Sequence, residues 1–419
     1  MNRRIFIQSA AIGTLGAPVF SGYSAGSSLL DKIKLLDEVI KQPVLKKELF
    51  NSPVIIESVE LLRFDNSYLC RVRSTNGAEG LAAGHPFQQR LLDSLFVNRM
   101  QPFFIGKDAR ELDSLIDEMY VGNYKLQGLA LWIPLATIEF AILDMLGRIA
   151  GKPVGELIGE IHNTEVGVYF PNNNRGRSAG ESLERIQGMM DGTSVKALKF
   201  KVGGRMRRVN DPNDPPDRSE KLIPMVREAF GNDMVLYVDS NSSYTIDEAV
   251  RIGRILEEYR YGFYEEPVPF DEYEETRQVA RTLSIPIAGG EQEPSLHQFR
   301  WLIASDALQI VQPDQFYFGG MIRSMKVARM AEAFGKTCVP HLSGGGLGYL
   351  YLLHFVSAIP NAGPYHEVYR NNRQTGTPVE SRTSSLVPGE NGKIKVPTGP
   401  GLGIEIDPDF VRRHVPVKV

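Results

Sequence analysis

Three acidic residues of this chain recur at a constant interval. Asp239, Glu265 and Glu291 are each separated from the next by 26 residues, and each follows a short apolar segment with strand character. This interval fits one strand plus one helix, so the three side chains would lie at the ends of consecutive parallel strands. Three converging carboxylates repel one another unless a cation lies among them, and ligands that are all oxygen favour a hard ion such as Mg²⁺. The spacing therefore predicts a magnesium site.

Two lysines lie in the predicted strand that precedes the strand of Asp239. Lys199 and Lys201 are two residues apart in a β-rich segment, so both side chains point to the same side of the strand. A buried lysine close to a dication and to a second lysine has a lowered pKa and can act as a base near neutral pH. We expect both lysines at the mouth of the site.

An aspartate and a histidine follow the two predicted strands that come after the strand of Glu291. They would lie on the opposite side of the site from the lysines. If Asp314 accepts a hydrogen bond from one ring nitrogen of His341, it fixes the tautomer and leaves the other nitrogen available for proton transfer. The last strand ends in His366 and Glu367, and the sequence leaves open which of these two side chains faces the site.

These residues need a scaffold that brings many strand ends to one face. Over residues 166–379, short β-rich segments alternate with helical ones, giving eight predicted strands with seven helices between them. The alternation predicts an α/β protein with a (β/α)₈ TIM-type barrel, modified so that one helix is missing. An open doubly wound sheet is the alternative, but no GxGxxG motif follows a first strand.

A different pattern precedes the barrel. Residues 50–165 combine a predicted three-stranded antiparallel meander with helical segments and a long apolar helix over Leu131–Ala150. Asn76-Gly77 has the turn chemistry of a hairpin. We therefore expect an α+β domain here, preceded by an amphipathic helix over Leu29–Phe50.

The N-terminal segment 1–28 has the layout of a bacterial export signal. Arg3 and Arg4 precede a weakly apolar stretch, Ala10–Phe20, and no acidic residue occurs before Asp31. The apolar stretch is too short to span a membrane. We predict a twin-arginine signal and a periplasmic or exported protein without a membrane span, and the cleavage site stays open.

The overall composition argues against several classes of partner. The 419 residues carry a formal net charge of −3, so neither nucleic acid nor an anionic membrane surface is an expected partner. Cys70 and Cys338 form no CxxC pair and fall in strands that we assign to different domains. We therefore expect two separate buried thiols.

Six short motifs occupy the predicted strand ends. In chain order they are Leu198-Lys-Phe-Lys-Val-Gly203, Val238-Asp-Ser-Asn241, Tyr264-Glu-Glu-Pro267, Ala288-Gly-Gly-Glu291, Gln312-Pro-Asp314 and Pro340-His341. Each motif is weak alone, but the ordered set resembles the enolase superfamily and its mandelate racemase/muconate lactonizing enzyme family, in particular the mandelate racemase subgroup. The resemblance covers roughly residues 54–410, including a capping domain. It implies that Asp239, Glu265 and Glu291 are the Mg²⁺ ligands.

The resemblance also implies roles for the remaining residues. Lys201 would be one acid/base, and the pair of Asp314 and His341 would be the other. Glu367 would act as an electrophile that hydrogen-bonds the substrate carboxylate or enediolate. Residues 380–419 would return to complete the capping domain, and members of this family usually form homo-oligomers.

The implied chemistry begins with removal of the proton α to a carboxylate. This proton is very weakly acidic, so the resulting enediolate must be stabilised, which Mg²⁺ and a lysine can do. Dehydration of a sugar acid is the commonest outcome in the subgroup and is the function we expect, which would make the protein a lyase. Racemisation, epimerisation or cycloisomerisation of a hydroxy acid is the alternative, and a non-catalytic sugar-acid binding protein is the remote one.

Two loops bear on the size of the substrate. The first turn of the predicted cap, Phe64–Ser67, is very short, which suggests an open site for a larger sugar acid. The loop after the second barrel strand, Gly203–Arg218, is long and carries Arg205, Arg207 and Arg208. We hypothesise that these arginines contact the distal end of the substrate; a simple solvated loop is the alternative.

Overall fold

The computed structural model describes residues 28–370 and 386–419. The predicted signal segment therefore lies outside the described residues, apart from Ser28. This serine caps helix α1 (Leu29–Lys41) by accepting a hydrogen bond of 3.2 Å from the backbone N–H of Asp31. The sequence predicts a helix as far as Phe50, but the helix ends earlier because Pro43 disfavours helical geometry in the residue before it.

The capping domain contains an antiparallel sheet and a group of helices. Its strands are β1 (Ile56–Phe64), β2 (Ser67–Ser74), β3 (Glu79–Ala83) and, from the C-terminal end of the chain, β13 (Val415–Pro416). They pair in the order β13-β1-β2-β3, so the predicted meander gains a fourth strand. Its helices are α2 (Asp93–Leu95), α3 (Gln101–Phe104), α4 (Leu112–Gly122), α5 (Leu129–Ala150) and α6 (Val154–Ile158).

The apolar helix α5 forms the core of the capping domain. By length and composition it could cross a membrane, but 89% of its most apolar stretch is buried inside the protein. Gly80 on β3 permits close packing against α5, because a Cβ at this position would collide with the carbonyl group of Ala141 and with Met145. A helix that is apolar all round and enclosed in this way is a core helix.

The second domain is a barrel of eight parallel strands. In chain order they are β4 (Glu165–Asn172), β5 (Ala197–Lys201), β6 (Val235–Asp239), β7 (Phe263–Glu265), β8 (Ile287–Gly289), β9 (Ile310–Val311), β10 (Thr337–Cys338) and β11 (His366–Glu367). They pair in the order β10-β9-β8-β7-β6-β5-β4-β11. Cys338 closes the circle, since its N–H donates to the carbonyl of Asn361 and its carbonyl accepts from Gly363, just before β11.

Seven helices connect these eight strands on the outside of the barrel. They are α7 (Ala179–Met190), α8 (Arg218–Phe230), α9 (Ile246–Glu258), α10 (Tyr273–Thr282), α11 (Leu296–Ala304), α12 (Met321–Ala333) and α13 (Gly348–Ser357). The prediction of a (β/α)₈-type barrel with an N-terminal α+β cap is confirmed, and the barrel has seven helices among the described residues.

Aromatic side chains fill the barrel below the predicted site. Tyr237 and Phe263 each precede a predicted acidic ligand by two residues on the same strand, and their rings stack at 3.9 Å between centroids. Tyr169 on β4 packs edge-on against Tyr237 at 5.4 Å. Because side chains two residues apart point to the same face, this layer forms an apolar floor that keeps water from the charged layer above it.

The C-terminal segment 386–419 joins the two domains. Strand β12 (Lys393–Lys395) pairs antiparallel with β4 of the barrel, and β13 then pairs antiparallel with β1 of the cap. A short helix, α14 (Pro408–Arg413), lies between these strands. The segment thus reaches the capping domain only after it has paired with the barrel.

The two cysteines lie in different domains. Cys70 is in β2 of the cap and Cys338 is in β10 of the barrel, and both are buried free thiols. The expectation of two separate buried thiols is confirmed.

A buried carboxylate on α5 holds the cap and the C-terminal segment together. Asp144 accepts hydrogen bonds from the backbone N–H groups of Leu81 on β3, at 2.9 Å, and of Leu402, at 2.8 Å. Arg148 donates to it from the next turn of the helix, at 3.0 Å. One side chain therefore connects a helix, a strand and a loop that are distant in the sequence.

We expect Asp144→Ala to lower the free energy of unfolding by about 3 kcal/mol, because each buried N–H that loses its acceptor costs roughly 1–3 kcal/mol. Urea unfolding followed by circular dichroism would measure the change. Glu258→Ala, at an exposed position on α9, serves as the control and should change the stability by less than about 0.5 kcal/mol. A wild-type midpoint for Asp144→Ala would contradict this role.

Candidate active site

Strand register places the predicted residues side by side on one rim of the barrel. Lys201 on β5 is the Cα partner of Asp239 on β6, and Asp239 is in turn the partner of Glu265 on β7. Glu291 follows two residues after the end of β8. These positions are the C-terminal ends of the strands, where barrels of this kind carry their active sites. The constant spacing in the sequence thus places these charged groups in a row along the rim of the barrel.

The three predicted metal ligands form a compact cluster. Asp239, Glu265 and Glu291 are buried, and each offers one carboxylate oxygen within 4.8 Å of the other two. Burial and the charge of Asp239 raise the pKa of Glu265 to about 8. Burial also acts to raise the pKa of Asp239, but Lys201 and Lys199 outweigh it and hold this pKa below its usual value. Carboxylates so crowded need positive charge among them, and three oxygen donors fit a divalent cation.

Lys199 lies deepest in the site and is fully paired. Its Nζ is 2.8 Å from Glu265 Oε2 and 2.7 Å from Glu367 Oε2, and its side chain is only 1% exposed. Burial alone would lower its pKa, but these carboxylates raise the pKa well above its usual value. The expectation of a lowered pKa is therefore wrong for Lys199, because two carboxylates flank it. Lys199 is a fixed positive charge beneath the acids.

Lys201 lies nearer the mouth of the barrel. Its side chain is 11% exposed, compared with 1% for Lys199, and its Nζ contacts Asp239 Oδ2. The backbone carbonyl of Lys201 accepts a hydrogen bond of 3.1 Å from Arg218 Nη1, which holds the end of β5 in place. Of the two lysines, only Lys201 is placed to meet a substrate that lies over the acids.

The structure brings the predicted histidine and aspartate together. His341 Nδ1 is 2.7 Å from Asp314 Oδ2. The other oxygen of Asp314 accepts from Ser343 Oγ, at 2.7 Å, and from two backbone N–H groups, each at 2.8 Å. His341 Nε2 is 3.2 Å from Glu291 Oε2. Burial would lower the pKa of His341, but Glu291 and Asp314 raise it to about 10. Asp314 thus orients the ring so that Nε2 faces the acid cluster.

The last strand turns Glu367, and not His366, towards the site. His366 Nε2 lies 3.0 Å from the carbonyl of Gly363, whereas Glu367 Oε2 accepts from Tyr169 Oη at 3.0 Å and pairs with Lys199. Burial would raise the pKa of Glu367, but Lys199 and His341 outweigh it and lower this pKa. An ionised carboxylate accepts hydrogen bonds and donates none, so this arrangement does not support the implied role of Glu367 as an electrophile.

Two residues of the site received no role in the sequence analysis. Gln312 donates from Nε2 to Glu265 Oε2 at 2.9 Å and so orients that carboxylate. Its position directly before Pro313-Asp314 at a strand end was a usable signal. Tyr169 binds Glu367 from within an apolar strand, where its hydroxyl group gives no local signal in the sequence.

A cleft of about 940 Å³ opens over His341, between the cap and the barrel. Its walls include residues 66–69 of the first cap turn, residues from the segment 83–87, and the barrel loop 341–347. The short first turn of the cap therefore does line the cleft. Of the long loop after β5, Arg205 alone of the described residues contributes to this lining. A cleft of this size suits a small-molecule substrate.

Comparison with protein families agrees with this architecture. Residues 56–159 match the N-terminal domain of mandelate racemase/muconate lactonizing enzymes, and residues 181–410 match the enolase C-terminal domain-like family. The first match corresponds to the cap and the second to the barrel with its C-terminal segment.

Individual relatives include two sugar-acid enzymes. The chain is 27% identical over 313 residues to arabinonate dehydratase of Saccharolobus solfataricus, covering 73% of this chain and 79% of that protein. It is 27% identical over 317 residues to D-galactarolactone cycloisomerase of Agrobacterium fabrum, covering 73% of this chain and 80% of the relative.

A solved structure of a mandelate racemase/muconate lactonizing protein from Paracoccus denitrificans PD1222, complexed with magnesium, has a TM-score of 0.76 to this chain. The identity is 28%, and the match covers 87% of this chain and 99% of that one. The family models span most of the described chain, with the acid cluster inside the second. The chain belongs to the mandelate racemase/muconate lactonizing enzyme family of the enolase superfamily.

Proposed function

We propose that this enzyme uses Mg²⁺ to remove the proton α to the carboxylate of a sugar acid and then eliminates the β-hydroxyl group as water. The observation that carries the proposal is the placement of two separate proton-transfer groups, Lys201 and His341, on either side of one cluster of three acids. A dehydration through two such groups divides the work, because one takes the α-proton and the other protonates the departing hydroxyl.

Lys201 is the group that takes the proton. It is the more exposed of the two lysines, and its Nζ lies at the edge of the acid cluster, against Asp239. Lys199 beneath it adds a second positive charge to the same site. The charge that develops on the substrate carboxylate would be stabilised by Lys199 from below.

His341 is the group that protonates the leaving hydroxyl. Asp314 binds Nδ1 and is itself held by Ser343 and by two backbone N–H groups, so the ring has one orientation. In that orientation Nε2 is directed at Glu291 of the acid cluster, whereas Lys201 contacts Asp239, a different member of the cluster. The two groups can therefore act on opposite faces of one substrate.

Asp239, Glu265 and Glu291 would hold the Mg²⁺ ion, with Gln312 orienting Glu265. When bound, the ion would neutralise the substrate carboxylate and stabilise the enediolate that forms when the α-proton leaves. The magnesium complex of the Paracoccus denitrificans relative supports this choice of metal.

Isomerisation is the second candidate function. The D-galactarolactone cycloisomerase relative favours it, as does the presence of two proton-transfer groups, since an epimerase or cycloisomerase would use the same pair. In that case the second group would return a proton to carbon and no water would be lost. The fate of the hydroxyl group separates the two functions.

We further propose that the twin-arginine segment exports the folded enzyme to the periplasm, and that the enzyme assembles as a homo-oligomer. Immunoblotting of periplasmic and cytoplasmic fractions would test the export, with Arg3→Lys/Arg4→Lys as the variant expected to remain in the cytoplasm. Light scattering coupled to gel filtration would give the number of subunits.

The first test of the function is incubation in D₂O with Mg²⁺ and a library of sugar acids and hydroxy acids, followed by proton NMR. We expect at least one acid to lose water and to show deuterium at the α-carbon of the substrate that has not yet reacted, and chelation of the metal should stop both. Exchange or inversion without loss of water would favour the isomerase. Absence of exchange with every acid, despite Mg²⁺ binding, would contradict an enzyme of this class and favour a binding protein.

A further inference from the structure

The lining of the cleft over His341 has an uneven distribution of charge. No aspartate or glutamate is among the described residues that form its walls, and Arg205 is the one permanently charged side chain among them. Within residues 28–370 and 386–419, Arg205 forms no ion pair and no side-chain hydrogen bond. A guanidinium group on a cleft wall without a carboxylate partner attracts an anion.

The loop that carries Arg205 is held in place against the segment that follows β6. The N–H groups of Met206 and Arg207 donate to the carbonyls of Asn241 and Ser242, at 3.0 and 2.8 Å. These carbonyls belong to residues two and three positions after the predicted metal ligand Asp239, at the end of β6. Met206 and Arg207 both have left-handed backbone geometry, with φ values of 42° and 62°. Such a turn is kept only where its surroundings determine it, so the position of Arg205 is built into the site.

A second arginine supports this turn from below. Arg175 donates from Nε to the carbonyl of Gly203, at 2.9 Å, and from Nη2 to the carbonyl of Val202, at 3.3 Å. Its Nη1 is buried and has no hydrogen-bond partner among the described residues. Burial lowers the pKa of Arg175; the charge of Asp239 opposes this shift, and the charge of Arg205 adds to it. Asp239 thus compensates part of the charge of Arg175, whereas no carboxylate among the described residues pairs with Arg205.

The neighbouring arginine of the same loop behaves differently. Arg207 turns away from the cleft and pairs with Glu272 at 2.9 Å and with Asp271 at 3.8 Å. Its charge is therefore already compensated at the surface. The unmatched positive charge on the cleft wall is therefore that of Arg205, and the other charged side chains of the cleft region do not share it.

We propose that Arg205, supported by Arg175, binds a second carboxylate at the distal end of the substrate, so that the preferred substrate is a dicarboxylic sugar acid, an aldarate. This inference rests on the proposed function, in which the reacting carboxylate is held at the acid cluster. An aldonate of the same length ends in a neutral CH₂OH group, which would leave the guanidinium group without an ionic partner. A terminal carboxylate matches the fork of donors that arginine presents.

The test compares matched pairs of acids that differ only at the last carbon, such as galactonate and galactarate. Their dissociation constants would be measured by calorimetry on Mg²⁺-loaded protein carrying Lys201→Ala to prevent turnover, with and without Arg205→Gln. Values of kcat/KM would be measured on the protein with native Lys201. Arg207→Gln is the matched control, because it removes the same charge from the same loop outside the cleft.

We expect the aldarate of at least one pair to bind at least about tenfold more tightly than its aldonate. Arg205→Gln should weaken aldarate binding by about 10- to 100-fold and aldonate binding by less than about threefold, and kcat/KM should follow the same pattern. Arg207→Gln should change neither acid. Equal loss for both acids in Arg205→Gln, or no preference in any pair, would overturn the proposal.

The outcomes also separate this proposal from the proposed function. If α-proton exchange is observed without any preference for aldarates, the chemistry stands and the distal carboxylate site does not. If aldarates bind preferentially through Arg205 but exchange no α-proton, the anion site stands and the proposed reaction fails.

Discussion

Lys201→Ala should abolish turnover and α-proton exchange, with a fall of about 10³-fold, because a positioned acid or base typically contributes 10²–10⁴-fold. Lys201→Arg should fall as far, since arginine keeps the positive charge near Asp239 but cannot be deprotonated in a protein. The Arg variant thus separates loss of a base from loss of a charge. Deuterium incorporation at the α-carbon, measured by NMR, is the readout.

The control is Lys221→Ala on the surface of α8, where the lysine is 65% exposed and pairs with Asp217. It should leave exchange unchanged. Exchange by Lys201→Ala within tenfold of the wild-type rate would exclude Lys201 as the base. Full activity of Lys201→Arg would mean that Lys201 acts through its charge alone.

His341→Asn should give a different result from Lys201→Ala. If His341 protonates the leaving hydroxyl, the variant should still exchange the α-proton through Lys201 but lose the dehydrated product by about 10²–10⁴-fold. The reverse pattern, with α-proton exchange lost in His341→Asn and kept in Lys201→Ala, would make His341 the base and Lys201 the acid. Parallel loss of both signals in His341→Asn would indicate that the ring mainly holds the site in shape.

Glu265→Gln should abolish metal-dependent activity and weaken Mg²⁺ binding by more than about 100-fold. Glu265 is the central member of the acid cluster, and Lys199 and Gln312 hold its carboxylate in position. Its replacement by glutamine therefore removes one negative charge from the predicted metal ligands. Loss of a group that merely orients a ligand already costs 10- to 100-fold in affinity. Glutamine keeps the shape of the side chain, which limits any effect on folding.

Thermal unfolding gives a readout of this change that does not depend on substrate. Mg²⁺ at 100 times its dissociation constant stabilises the wild-type protein by about 2.7 kcal/mol, so its Tm should rise with added metal. The Tm of Glu265→Gln should stay constant at the same concentrations. Glu274→Gln, at a 67% exposed position on α10, should behave like the wild type. A metal-induced rise in Tm for Glu265→Gln would place the cation elsewhere.

Much of the fold was predictable because its signals are local. Alternation of β-rich and helical segments depends on residues within one element, and the barrel has the eight strands and seven connecting helices that this alternation predicts. The lead-in helix was predicted too long because amphipathic periodicity continues past Gln42, where Pro43 stops the helix. The C-terminal segment was less predictable, since β12 and β13 are short and their partners, β4 and β1, are remote in the chain.

The sequence by itself determined which residues reach the rim of the barrel. One acidic residue per βα unit, and two lysines with a period of two, leave little freedom once the strands run parallel and in register. The cluster of Asp239, Glu265 and Glu291 follows from that repetition.

The tertiary structure decided what each charged group does there. Lys199 and Lys201 have the same local pattern, but Glu367, from the last strand, pairs with Lys199 and makes it a fixed charge. Likewise, Arg205 and Arg207 belong to one basic loop, but only Arg207 finds a carboxylate across the surface. Local patterns show which way a side chain points, whereas the partner that sets its pKa or neutralises its charge comes from a distant part of the chain.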